Sequence, residues 1–244
     1  MDYALLNETS FAELTRMAQD MDIKPRRKKK DLIRDITEAF QQYEKYKKDK
    51  VDKYRRVKQL GNKGKEGITF LVEDKKGYNF AMKTFRKSKS SKYLRLEYTL
   101  QKKAASVGVS PRVVEYDSVS KYIVMEKMDS HLYDYMVKNK NLLRNQQLRI
   151  LDIFEKLDNV GVFHGDSNIL NYMIKNKEIY LIDYGTAREV TSQLINKLGT
   201  STPNIKYMTL GLILKLREFN FPSSSWKYLK KRVSQEDKIK FKIE

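Results

Sequence analysis

Asp166 and Asn171 stand five residues apart in the segment 160–171, VGVFHGDSNILN, and Asp183 closes the apolar run Ile179-Tyr180-Leu181-Ile182. Two carboxylates and a carboxamide are hard oxygen donors suited to Mg2+, and one carboxylate of such a set can serve as a base. A magnesium nucleotide uses these groups: Asn171 and Asp183 supply oxygens to the cation, and Asp166 receives or orients the proton of an attacking hydroxyl. Upstream, Gly61, Gly64 and Gly67 fall within seven residues. Lacking Cβ atoms, such a turn can bring backbone N–H groups close to phosphate oxygens, although a glycine turn between strands is also ordinary hairpin material. Lys83 lies in an alternating apolar stretch beside Ala81 and Met82 and needs a counter-charge there. Glu97 and a nucleotide phosphate are the two candidates.

These residues need a scaffold, and the pattern around them supplies one. Residues 57–72 read as strand, glycine turn and strand, 78–85 as a further strand, and 93–100 as a helix carrying Glu97. The segment Tyr122-Ile123-Val124-Met125-Glu126-Lys127-Met128 is another strand, and Lys206 to Leu216 is an apolar helix. The tail from Trp226 to Glu244 reads as basic and helical.

Before residue 50 the chain changes character. Phe11, Leu14, Met17 and Ala18 recur at helical spacing, and so do Leu32, Ile33, Ile36 and Phe40. Ser10 can cap the first helix with Glu13 as its reciprocal partner, and Pro25 forbids that helix from running on. Between the helices lies Arg26-Arg27-Lys28-Lys29-Lys30, five cations at a helix entrance, where they oppose the helix dipole. Residues 47–56 read as a helical linker.

Composition bounds the rest. A chain of 244 residues builds one good-sized core or two small ones, and 40% hydrophobic with 33% charged residues excludes disorder as the main theme. No cysteine is present, so disulfides and thiolate metal sites are out. No apolar run approaches the roughly 20 residues of a membrane helix, which leads us to expect no membrane association and an intracellular location. Fifty Lys and Arg against thirty-one Asp and Glu give a formal charge of +19. A field of that sign attracts phosphate-rich partners, and it is read either as a solvated basic surface or as a nucleic-acid surface.

The ordered set of glycine turn, Ala81-Met82-Lys83 strand, helix Glu97, His164-Gly165-Asp166 with Asn171, and Ile182-Asp183-Tyr184-Gly185 resembles the eukaryotic-type protein kinase superfamily. Sixteen positions from Gly67 to Lys83 and seventeen from Asp166 to Asp183 are similar to that family's spacing. The resemblance implies an α+β, bilobal kinase-like fold, with an N-lobe at 57–128 and a C-lobe at 129–244. It also implies ATP and Mg2+ as cofactors and transfer of the γ-phosphate to Ser/Thr hydroxyls of a protein substrate. By it, Gly61, Gly64 and Gly67 cover the phosphates, Lys83 holds them and Glu97 orients Lys83. Adenine meets the backbone at Glu126 and Met128, Asp166 is the catalytic aspartate, and Asn171 and Asp183 bind the metal. Residues 1–46 resemble SAP-like helix-extension-helix modules, which implies nucleic acid as a second partner through the basic hairpin or the basic surface.

Departures from the family narrow the expectation. Gly165 replaces the arginine of the usual H-R-D, which argues against control by an activation-loop phosphate. Asn168 stands where a lysine near the γ-phosphate is usual, so one positive charge is missing. Only fifty-nine residues follow Gly185, and the helical C-lobe is therefore shortened. Such a set looks like the vaccinia-related and RIO-type branches, as in small kinases of large DNA viruses, and extends the expected locations to cytoplasm, nucleus, virus factory or virion. The alternatives are a pseudokinase or nucleotide-binding adaptor associated with nucleic acid, and a small-molecule kinase.

Overall fold

The computed structural model describes residues 3–21, 23–24, 26–50, 53–61, 64 and 66–243, and shows an α+β chain. Pro25, the expected helix stop, lies outside the described residues, as do Asn62, Lys63 and Lys65 of the glycine turn and Val51 and Asp52 of the expected linker. The chain divides into two compact units. The first comprises 1–96 and 114–125, and the second 97–113 and 126–244.

The first unit begins with α1 (Tyr3–Glu8), α2 (Phe11–Asp20) and α3 (Lys29–Lys50). Ser10 caps α2 as its sequence demands: its hydroxyl accepts from the Glu13 N–H at 3.2 Å, and the Glu13 carboxylate accepts from the Ser10 N–H at 3.2 Å. Leu14 and Ala18 of α2 pack with Leu32, Ile33 and Ile36 of α3 in a dry cluster. Burying one such Leu or Ile is worth roughly 1.5–3 kcal/mol, enough for a few of them to hold so small a module together. The helix α1 was not expected, and it brings Leu6 into this cluster, whereas Phe11 stays 42% exposed.

After α3 come β1 (Tyr54–Leu60), β2 (Gly67–Asp74) and β3 (Asn79–Phe85), then α4 (Ser91–Ser106), β4 (Val113–Asp117) and β5 (Tyr122–Glu126). The five strands form one sheet in the order β1-β2-β3-β5-β4, with β2 antiparallel to both β1 and β3. The expected helical linker therefore gives way: α3 continues to Lys50, and Tyr54 to Arg56 are strand. Cross-strand pairing overrides helix propensity here, with Arg55 forking onto Glu73 at 3.1 and 3.2 Å and Tyr54 set edge-on to Phe80 at 6.0 Å. Val72, Met82 and Val124 form the dry face of the sheet. Glu115 fastens two of its strands, accepting from the hydroxyls of Tyr54 at 3.2 Å and Tyr122 at 2.8 Å. Burial, reinforced by the Glu115 charge, pushes the Tyr54 phenol up to about 12.

The second unit starts within α4 and continues through β6 (Ser130–His131), α5 (Leu132–Asn139), α6 (Arg144–Asn159), β7 (Val162–Phe163), β8 (Tyr172–Lys175), β9 (Glu178–Leu181) and β10 (Arg188–Glu189). It ends with α7 (Ser192–Leu198), α8 (Thr209–Glu218) and α9 (Gln235–Phe241). Strands β6, β8 and β9 make a small antiparallel sheet, and β7 pairs with β10. Leu132, Ile150, Phe154, Ile169, Tyr172, Leu212 and Ile213 are buried together in its core. The tail is less regular than its composition suggests: two 3-10 turns, Ser223–Trp226 and Leu229–Arg232, precede α9. Gln147, fully buried, explains the turns, since its amide bonds Leu142 O at 2.7 Å, Ser224 O at 2.8 Å and the Tyr228 N–H at 2.8 Å.

Candidate functional site

In the second unit the loop after β7 carries Asp166, a 3-10 turn at Ile169–Asn171 carries Asn171, and Asp183 follows β9. Backbone bonds draw the three together. The Asn171 N–H donates to Asn168 O at 3.0 Å, and the Ile182 N–H donates to Asn171 O at 2.8 Å, which sets Asn171 beside the residue preceding Asp183. His164 supplies the remaining tie. Its ring is wholly buried, with Nδ1 3.1 Å from Asp166 O and Nε2 3.0 Å from Ile182 O. A neutral ring donating from Nε2 to Ile182 O, and accepting at Nδ1 from the Asp166 N–H at 3.4 Å, joins the two aspartate segments.

Local chemistry finishes each residue's placement. One Asp166 carboxylate oxygen accepts from the Asn168 N–H at 3.0 Å, and the Asn168 side chain in turn accepts from the Leu170 N–H at 3.1 Å, so Asn168 is a turn cap. Asp183 is exposed with φ at +65°, a left-handed conformation that aspartate tolerates better than most side chains. One of its carboxylate oxygens lies within 4.8 Å of one from Glu97 in α4, and both residues belong to the second unit. Asn171 is buried, and its side-chain nitrogen has no hydrogen-bond partner among the described residues. Two carboxylates this close are oxygen ligands that suit a hard divalent cation, to which Asn171 could add only its amide oxygen, not the unpartnered nitrogen.

Two supporting features had no signal in the sequence. Asn204, fully buried in a π-helical turn ahead of α8, accepts from the His164 N–H at 3.0 Å and donates to Val162 O at 2.7 Å and to Asp158 at 2.7 Å. Asp158 also accepts from the N–H groups of Asn204 at 2.9 Å and Ile205 at 3.0 Å. Burial pushes its carboxyl above the usual range, opposed by these donors. Gly211 in α8 lies so close to the Asp166 loop that a Cβ there would come 2.1 Å from Ser167 Oγ and 3.0 Å from its Cβ, so any larger residue would have to turn the Ser167 side chain aside.

The remaining expected residues divide between the units. Glu126 and Met128 belong to the second, where the Glu126 N–H donates to Arg112 O at 2.9 Å and its carboxylate pairs with Lys175 at 2.5 Å. Burial raises that carboxyl, but the Lys175 bond and charge outweigh it and hold it below its ordinary range. Gly61, Gly64, Gly67 and Lys83 belong to the first unit. Gly61 ends β1 with φ at +68°, and the Gly64 N–H donates to Gly67 O at 2.9 Å. Gly67 lies within β2 opposite Phe85, where a Cβ would fall 2.0 Å from Thr84 O, so strand pairing by itself demands glycine there. Lys83 lies 3.8 Å from Glu66, a pairing the sequence reading missed.

The basic run also has an internal use. Arg26 bonds Asp35 at 2.7 Å, and Lys29 donates to Asn7 O at 2.7 Å. Among the described residues no helix is long and apolar enough to cross a membrane. In comparisons with known proteins, no family model and no curated protein matches this chain.

The buried His164 yields a pH prediction. Burial holds its pKa below the ordinary 6.5, so the unfolded chain binds the proton more readily. The stability contributed by the neutral ring is present above pH 6.5 and is lost as pH falls below it, with a slope of at most about 1.4 kcal/mol per pH unit. Urea midpoints between pH 7.5 and 5.5 should fall in the wild type and flatten in His164→Gln. Parallel slopes would show that His164 is not the titrating group.

Proposed function

We propose that this chain is a compact protein kinase-like phosphotransferase that uses ATP and Mg2+ to phosphorylate Ser/Thr hydroxyls of proteins. The observation that carries this reading is the single hydrogen-bonded frame of the second unit, in which His164, Asn171 and Ile182 bind together the segments bearing Asp166 and Asp183. Such a frame fixes the backbone that bears the two aspartates. A phosphoryl transfer needs it, because positioning and electrostatics supply most of the catalysis.

In this reading Asn171 and Asp183 hold Mg2+, which when bound offsets the charge of the phosphate oxygens. Asp166 orients the substrate hydroxyl and accepts its proton as the new O–P bond forms and the bond to the leaving ADP oxygen breaks. Lys83 binds the nucleotide phosphates, and the backbone at Glu126 and Met128 binds adenine. The kinase-like division into lobes, the SAP-like character of residues 1–46 and a nucleic-acid partner belong to the same proposal. The second reading, a nucleotide-binding adaptor, is favoured by one observation: Asn168 caps a turn and brings no positive charge where kinases keep a lysine.

Transfer of labelled γ-phosphate to a generic protein substrate separates the two. Mg2+-dependent labelling is expected, and nucleotide binding without any labelling would leave the adaptor. Asp183→Asn should weaken Mg2+-dependent ATP binding by about tenfold or more, the scale for one lost charged ligand. Unchanged Mg2+ dependence in calorimetry would remove Asp183 from the metal site.

A further inference from the structure

Within the first unit, Glu66 of the glycine turn reaches two lysines. Its Oε2 lies 2.8 Å from Lys89 Nζ and 3.8 Å from Lys83 Nζ. Both ammonium groups also stand over the same ring, that of the buried Phe85, at 4.6 Å for Lys89 and 5.0 Å for Lys83. These are not surface lysines: their side chains are only 11% and 14% exposed, whereas that of Glu66 is 42% exposed. The strand β3 delivers Lys83, and the turn after it delivers Lys89, whose N–H bonds Arg86 O at 3.0 Å. The two cations are thus held by backbone structure, and the anion sits on the more exposed side chain.

The geometry points to Lys89 as a second polyphosphate-binding residue beside Lys83, with the Glu66 carboxylate as a stand-in for a phosphate that the ligand displaces. This inference rests on the nucleotide-binding reading above and extends it to two residues that reading does not use. The physical case is a comparison of anions. A carboxylate brings one negative charge and a polyphosphate three or four, so the latter gains more from two ammonium groups that already converge on one oxygen atom. Partial burial of both lysines strengthens the attraction, and the face of Phe85 favours cations there without competing as an anion. Glu66 then acts as a threshold, offsetting part of the charge of the two cations until a more highly charged ligand arrives.

The test is calorimetric titration of the full chain with inorganic tripolyphosphate and, in parallel, with ATP and Mg2+. Lys89→Met and Lys83→Met should each weaken tripolyphosphate binding by about tenfold or more, the scale of one lost charge-assisted contact. Glu66→Gln, at the exposed side chain, should tighten it severalfold by removing the competing charge, and where Lys89→Met fails to fold, wild-type affinity in Glu66→Gln alone overturns the inference. Wild-type affinity in both Lys89→Met and Glu66→Gln, or weaker binding in Glu66→Gln, overturns the inference. If Lys83→Met alone loses affinity, Lys89 is excluded and the nucleotide reading stands. If ATP with Mg2+ binds neither the wild type nor any variant, the nucleotide reading itself fails.

Discussion

Asp166→Asn should lower the rate of phosphate transfer by about 10²–10⁴-fold, the usual worth of a positioned general base, while leaving the fold and ATP affinity near wild type. The substitution is chosen for what it preserves. Asp166 accepts from the Asn168 N–H at 3.0 Å, and an amide oxygen can accept the same bond, so the loop has no reason to move. His164 meets Asp166 through the backbone, which the substitution does not touch. What disappears is the carboxylate to which the proposed function assigns the hydroxyl proton. The measurement is labelled phosphate on a protein substrate under matched concentrations, with circular dichroism as the check on folding. Equal labelling by the two proteins would end the enzyme reading, whatever the affinity for ATP.

How much of this could be read from the chain depends on the range of the interaction responsible. Local rules were legible. The Ser10–Glu13 capping box, the strand bearing Lys83 and the helix bearing Glu97 each follow from neighbours within a few positions. The α+β class follows from the same periodicities. Contacts made across long sequence separations were not legible. Tyr54 to Arg56 lie in a polar, helix-favouring stretch, and only pairing with Val72 to Asp74 makes them a strand. Glu66 could be counted as a turn residue but not as the partner of Lys83 and Lys89, since a turn's pattern does not encode where its side chains return.

The same limit applies to the candidate site. Types and order singled out Asp166, Asn171 and Asp183, because donor chemistry is a property of single residues. Their support is not. Nothing near Pro203 distinguishes Asn204 from any other asparagine, yet forty positions away it receives the His164 N–H. Gly211 looks like a weak point in an apolar helix until Ser167 is found against it. In sequence, Arg26 and Lys29 read as cations set against a helix dipole. In the fold they bond Asp35 and the carbonyl of Asn7.

Asn204→Ala should cost about 3–5 kcal/mol, more than any surface change in this chain, because it breaks several buried and part-buried hydrogen bonds at once. Three losses coincide. Asp158 keeps the backbone donors of residues 204 and 205 but loses the amide at 2.7 Å, and the His164 N–H and Val162 O lose their partners at 3.0 and 2.7 Å. Alanine is the better helix former, but that gain is well under 1 kcal/mol and cannot offset unsatisfied buried groups at about 1–3 kcal/mol each. Since domains of this size have only about 5–15 kcal/mol in hand, the variant should be marginal at physiological temperature. The loss should also reach the site, because the released His164 N–H precedes the ring that joins Asp166 to Ile182. Urea unfolding, followed by transfer assays on the fraction still folded, checks both. A cost below about 1 kcal/mol with wild-type transfer would show that Asn204 neither stabilises the second unit nor positions Asp166.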